Sequence, residues 1–166
     1  MIMTRRIFHI FCCFALAGGY VAPTNARADD TNDGTIWAGV FLGSAQVSKL
    51  GAEVASAEGK SVVERMAKVP SLKFPHYRLL GEHVQPLLKE YESWLVPSRG
   101  FFFKLDSRGP EPKGGVRVAV QLWRDKEVLV KTDLVLKGDR AVLVRGPALG
   151  QHGTLIIALR LVKPAS

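Results

Sequence analysis

Between Val116 and Trp123 the chain reads Val-Arg-Val-Ala-Val-Gln-Leu-Trp, with an aliphatic side chain at every second position. Only an extended strand puts positions i, i+2 and i+4 on one face. The run therefore predicts a strand with one aliphatic face and an opposite face carrying Arg117, Gln121 and Trp123. The same period recurs over 154–162, where Leu155, Ile157, Leu159 and Leu161 share a side. Two such faces must bury themselves against another layer, which points to sheet packed on sheet.

Strand-like runs also occupy 36–42, 76–83, 88–95, 100–105, 128–136 and 141–145. Segments 128–130 and 134–136 are apolar at successive positions, the pattern of a strand covered on both faces. The run 88–95 also fits a helical face through Leu87, Leu88, Tyr91 and Leu95. Short links at 125–126 and 137–139, and a longer one at 146–153, predict antiparallel neighbours. One helix is expected over 60–69, where Val62, Val63, Met66 and Ala67 recur at helical spacing before Pro70 stops it. The stretch 43–59 reads mostly as loop, with Val47, Leu50 and Val54 at the spacing of a short helical turn. The expected fold class is α+β, mainly antiparallel β. It is a two-layer β-sandwich-like meander of seven to eight strands, with one short helix capping an end or an open face.

The first 28 residues have a different character. Arg5 and Arg6 precede an apolar stretch from Ile7 to Ala17, and Ala26-Arg27-Ala28 has the A-x-A spacing of a cleavage site. This is the make-up of a secretory signal removed near Asp29, and its apolar stretch is shorter than the ~20 residues that span a bilayer. Thr4-Arg5-Arg6-Ile7-Phe8 resembles the twin-arginine export signal, with departures at His9 and Ile10. An ordinary signal whose charged region holds two arginines reads the same way. Either route predicts a periplasmic or secreted protein with no transmembrane span after cleavage. Residues 29–34 are polar and predict a flexible start, and 35–166 predict a single globular, mostly-β domain.

Cys12 and Cys13, the only cysteines, both fall in the leader. The mature chain then has no disulfide, no thiol chemistry and no thiolate metal site, which excludes several enzyme classes. The formal charge of +8 includes Arg5, Arg6 and Arg27 of the leader, leaving a modest excess of basic residues in the mature chain. That excess suits weak attraction to anionic envelope polymers or lipid headgroups. No run of five like charges occurs, so no nucleic-acid tract is expected.

Candidate sites divide by chemistry. His76 and His83 are seven apart and fall on opposite faces of a strand, and His152 sits in a glycine-rich link without an acidic neighbour, so no metal site is expected. No Gly-x-Ser-x-Gly elbow occurs. Asp106, Glu111, Asp125, Glu127, Asp133 and Asp139 are available as paired carboxylates, but they lie in turns or opposite basic residues, as solubilising charges do. Gly146–Gly153 precedes a strand instead of a helix, so it reads as a hairpin link and not as a phosphate cradle, although such loops commonly carry recognition.

The aromatics carry more. Trp123 stands with Arg117 and Gln121 on the polar face of its strand, a candidate platform that Tyr77, Arg78 and Tyr91 would extend. The bland alternative is that these rings are core, as large aromatics usually are. The expectation is an exported, non-catalytic binding or interaction module of the bacterial envelope, without cofactor. It would present Trp123, Arg117, Gln121 and Tyr77, or the link holding His152, to an envelope protein or an anionic envelope polymer. A carbohydrate- or cell-wall-polymer-binding β-sandwich is the alternative, and a small secreted hydrolase has less support. An interaction module predicts an exposed apolar patch; a glycan binder predicts Trp123 exposed in a shallow groove with polar neighbours.

Overall fold

Among the described residues, the first strand and the last are neighbours at the centre of one sheet. β1 (Asn32–Ser44) and β8 (Thr154–Val162) pair antiparallel from Thr35↔Val162 to Gly43↔Thr154. The computed structural model of the chain describes residues 32–89, 91–98 and 100–162. The expected leader, 1–28, lies outside them. Between β1 and β8 come α1 (Ala57–Met66), a 3-10 turn (Pro70–Leu72), β2 (His76–Leu88), β3 (Ser93–Ser98), β4 (Phe101–Pro110), β5 (Val116–Arg124), β6 (Glu127–Leu136) and β7 (Val142–Ala148).

The strands form two antiparallel four-stranded sheets, ordered β2-β1-β8-β7 and β3-β4-β5-β6. The expected meander of mostly antiparallel strands in two layers with one short α-helix is therefore the architecture observed. Its circuit is complete in one respect. β2 lies against β3 and β6 against β7, so every strand neighbours its sequence neighbours and β8 returns to β1. The result is an up-and-down ring flattened into a sandwich and unpaired at two seams.

Alternation fills the space between the layers. Val116, Val118, Val120 and Leu122 of β5 point inward with Phe103 and Leu105 of β4, and meet Ile36, Val40, Leu155 and Ile157 of the first sheet. The outward positions of β1 and β8 are also apolar. Trp37, Phe41, Ile156 and Ala158 form a second cluster with Val62 and Met66 of α1 and Leu72 of the 3-10 turn. Two-sided burial thus belongs to β1 and β8, the central strands of the helix-covered sheet. The reading of 128–136 as covered on both faces is corrected: β6 is an edge strand, and Val128 and Val135 on its outer side are exposed.

Room for the second cluster comes from a missing side chain. A Cβ on Gly39 would lie 2.7 Å from the Trp37 ring and 2.8 Å from the Phe41 ring, so only glycine lets these two rings lie 6.4 Å apart across it. α1 is too short to persist alone and exists by docking Val62 and Met66 into this cluster. Its start is held twice. The Ser56 hydroxyl accepts from Gly59 N at 3.1 Å, capping the helix, and donates to Glu82 Oε2 at 2.9 Å. Glu82 Oε2 also accepts from Trp37 Nε1 at 3.2 Å, so one carboxylate of β2 ties the helix cap to β1.

Several boundaries differ from the sequence expectation. α1 begins at Ala57 instead of residue 60, because the Ser56 cap reaches back into the stretch read as loop. β1 begins at Asn32, inside the expected flexible start, where Asn32 pairs with Leu88 and the Asp33 carboxylate accepts from the Ser107 hydroxyl. The run 88–95 divides between the end of β2 and the start of β3, with the turn between them.

Candidate functional site

The outer faces of the two sheets are unlike. α1 and the 3-10 turn cover the first; no helix among the described residues covers the second. Strand register arranges that bare face in rows running across the strands. Phe102, Trp123 and Val128 form one row. Trp94, Lys104, Gln121 and Lys131 form the next, and Asp106, Ala119 and Asp133 the third. Arg117 pairs with Val135 beyond them.

The first two rows carry a continuous aromatic strip. The Trp94 and Phe102 centroids lie 5.6 Å apart at 40°, and those of Phe102 and Trp123 lie 6.0 Å apart at 9°. With Val96 of β3 at one end and Val128 of β6 at the other, apolar side chains cross all four strands. Trp94 is 44% exposed, Val96 60% and Val128 40%, while Phe102 and Trp123 are half-buried between their neighbours. At this end of the sheet the β3–β4 and β5–β6 turns are linked by Asp125 N donating to Gly100 O at 3.1 Å, which stiffens the edge of the strip.

Polar groups border the rings. Trp123 Nε1 donates to Gln121 Oε1 at 3.2 Å, and Trp94 Nε1 donates to Glu92 Oε2 at 3.2 Å. Lys104 pairs with Glu92 and lies 3.9 Å from Asp106. The hydrogen bond from Lys104 holds the Glu92 carboxyl below its ordinary range, and the same bond raises the Lys104 ammonium. Beside Gln121 the small Ala119 leaves a shallow depression of about 470 Å³, walled by Asp106, Arg108, Lys131 and Asp133.

The residues singled out from sequence do not all meet. Trp123, Gln121 and Arg117 share the outer face of β5, as expected from alternation. Arg117 stands away from the rings and binds Glu111 at 2.5 Å, which raises its guanidinium above its ordinary value. Tyr77 belongs to the other sheet. Its hydroxyl accepts from Phe74 N at 3.0 Å and donates to Leu72 O at 2.8 Å, a structural latch under the 3-10 turn, so it does not extend the platform. Arg78, on the same strand, donates to Gly51 O at 2.7 Å. Tyr91 is exposed in the turn between β2 and β3.

His152 lies apart from the strip, in a depression of about 700 Å³ between the 44–49 and 148–154 loops. The second loop packs against the end of β1: a Cβ on Gly153, at φ +134°, would fall 2.5 Å from Gly43 O. His76 and His83 are exposed. Among the described residues no group of three or more His, Asp, Glu or Cys side chains is placed to hold a metal ion. No described helix is long and apolar enough to cross a membrane.

Of the strip, Trp123 alone is among the candidate binding residues read from the sequence; Trp94, Val96, Phe102 and Val128 are not. The Phe101-Phe102-Phe103 run announces that one ring must face outward, but not which neighbours it meets. Comparison of the chain with models of known protein families, with curated proteins and with solved structures returned no match.

Proposed function

We propose that this protein is an exported, non-catalytic interaction module that docks an envelope protein on the outer face of its second sheet. The observation that carries the reading is the apolar strip from Val96 and Trp94 through Phe102 and Trp123 to Val128, on the one sheet face that no described helix covers. Solvated antiparallel sheets ordinarily alternate apolar-in with polar-out, so aromatic rings crossing four strands on the outer side are a departure that a partner would explain. Trp and Phe anchors on a rigid sheet, bordered by charges, have the make-up of a protein-binding centre.

Ring geometry favours a protein over a glycan. A sugar stacks on the free face of an aromatic ring, but Phe102 has Trp94 on one side and the parallel Trp123 ring on the other. A polymer-binding reading keeps one supporting feature, the polar depression beside Gln121. A hydrolytic reading is weaker. Asp106 and Asp133 do flank Ala119, but Asp133 is exposed, whereas a general acid near neutral pH needs burial to keep its proton.

The test is chemical cross-linking of tagged wild-type protein and a Trp94→Ser/Val96→Ser variant in envelope extract at moderate salt. A stoichiometric partner present with wild type and absent with the variant supports the reading. Recovery of the same partner by both proteins, or of glycan alone, overturns it.

A further inference from the structure

Away from the aromatic strip, three guanidinium groups line one depression. It lies between α1, the residues entering β7 and the outer side of β8, has a volume of about 380 Å³, and is walled by Arg65, Arg140 and Arg160 with Ser61. We propose that this depression binds a phosphoryl oxyanion.

Three like charges around one small space repel one another unless something neutralises them. Neutralisation within the protein is incomplete. Arg160 Nη2 lies 3.4 Å from Glu58 Oε1, long for a charged pair, and Asp139, which also lines the depression, makes no ion pair among the described residues. The two carboxylates still leave a net positive charge on the lining. Arg65 is fixed in place by donating from Nη1 to Ala141 O at 2.7 Å, which uses one of its five donors and keeps the others available. Arg140 is exposed and makes no ion pair among the described residues.

The chemistry of the donors selects the ligand. A guanidinium is a planar fork that matches two oxygens of a phosphate, and three forks approaching from α1, the β7 entry and β8 suit a group with three equivalent terminal oxygens better than a flat carboxylate. Bound there, the anion would bridge the helix and the sheet it covers, so occupancy raises resistance to unfolding. The same group is presented by inorganic phosphate, by soluble phosphate monoesters and by the phosphomonoester headgroup of phosphatidic acid.

The protein expressed from its full sequence is heated in inorganic phosphate and in chloride of matched ionic strength. Wild type is expected to unfold at a higher temperature in phosphate, with a rise that grows with concentration. Arg140→Gln and Arg160→Gln should need at least tenfold more phosphate for the same rise, while Arg145→Gln, an exposed arginine outside the depression, should respond as wild type does. Arg140 is exposed, so its variant folds even if the Arg160 variant does not. No phosphate-specific rise in wild type, or an undiminished rise in Arg140→Gln, overturns the proposal. Flotation with vesicles containing phosphatidic acid, against phosphatidylcholine vesicles, then separates the sources. Arg140-dependent binding to the former assigns a lipid headgroup, and its absence with the phosphate response intact assigns a soluble phosphate.

Discussion

Trp123 of β5 and Phe102 of β4 occupy directly paired positions, and their rings stack with planes 9° apart and centroids 6.0 Å apart. A pair of this kind contributes beyond the area it buries, by about 0.5–1.5 kcal/mol. A double-mutant cycle with Trp123→Ala and Phe102→Ala, read by denaturant unfolding, should return a coupling in that range. Additive single changes would mean that the rings pack independently and that the strip is not one rigid surface.

The helix that covers the first sheet depends on a residue outside it. Ser56 caps α1 by accepting from Gly59 N and donates a hydrogen bond to Glu82, which also accepts from Trp37. Ser56→Ala should cost about 1 kcal/mol, and Ser56→Asn should recover part of it as a competent cap. Equal losses for both would show that the bond to Glu82, not the cap, is what Ser56 supplies.

Acid should act on the border of the strip. Glu92 titrates below its ordinary value of 4.5 because Lys104 donates to it. A carboxyl whose folded value is depressed contributes stability that is fully present above the unfolded value and is lost as pH falls through the folded one. The contribution of Glu92 is therefore intact at neutral pH and disappears only below about pH 4.5. In Lys104→Gln, the Glu92 midpoint followed by NMR should move upward toward the ordinary value. An unchanged midpoint would remove Lys104 as the cause.

The interior was legible where period two is strict. In β5, Val116, Val118, Val120 and Leu122 face inward as alternation requires, and the same rule put Trp123, Gln121 and Arg117 outside. What alternation cannot report is whether a face is covered. Successive apolar residues in β6 look like those of a strand buried on both sides, yet β6 is an edge whose Val128 and Val135 meet solvent, while the strands buried on both sides are β1 and β8. Tyr77 was misplaced for a related reason. It and Trp123 lie on different sheets, and membership of a sheet depends on which strands pair, not on any local pattern. The start of α1 is hidden in the sequence because Ser56 lacks the acidic partner three residues on that marks a capping box, and its second partner, Glu82, is 26 residues away.

The central claim is that the strip on the second sheet binds a partner protein. Trp94 and Val96 are exposed, so replacing both by serine should leave the chain folded, at the cost of the Trp94–Phe102 ring contact, about 0.5–1.5 kcal/mol. The affinity of the cross-linked partner for wild type and for this variant, measured at low and moderate salt, tests the claim most directly. The predicted result is at least a tenfold loss in the variant, with little salt dependence in wild type, as expected when apolar anchors dominate over screened charges. Equal affinity for the folded variant, or wild-type binding that vanishes at moderate salt, would contradict it.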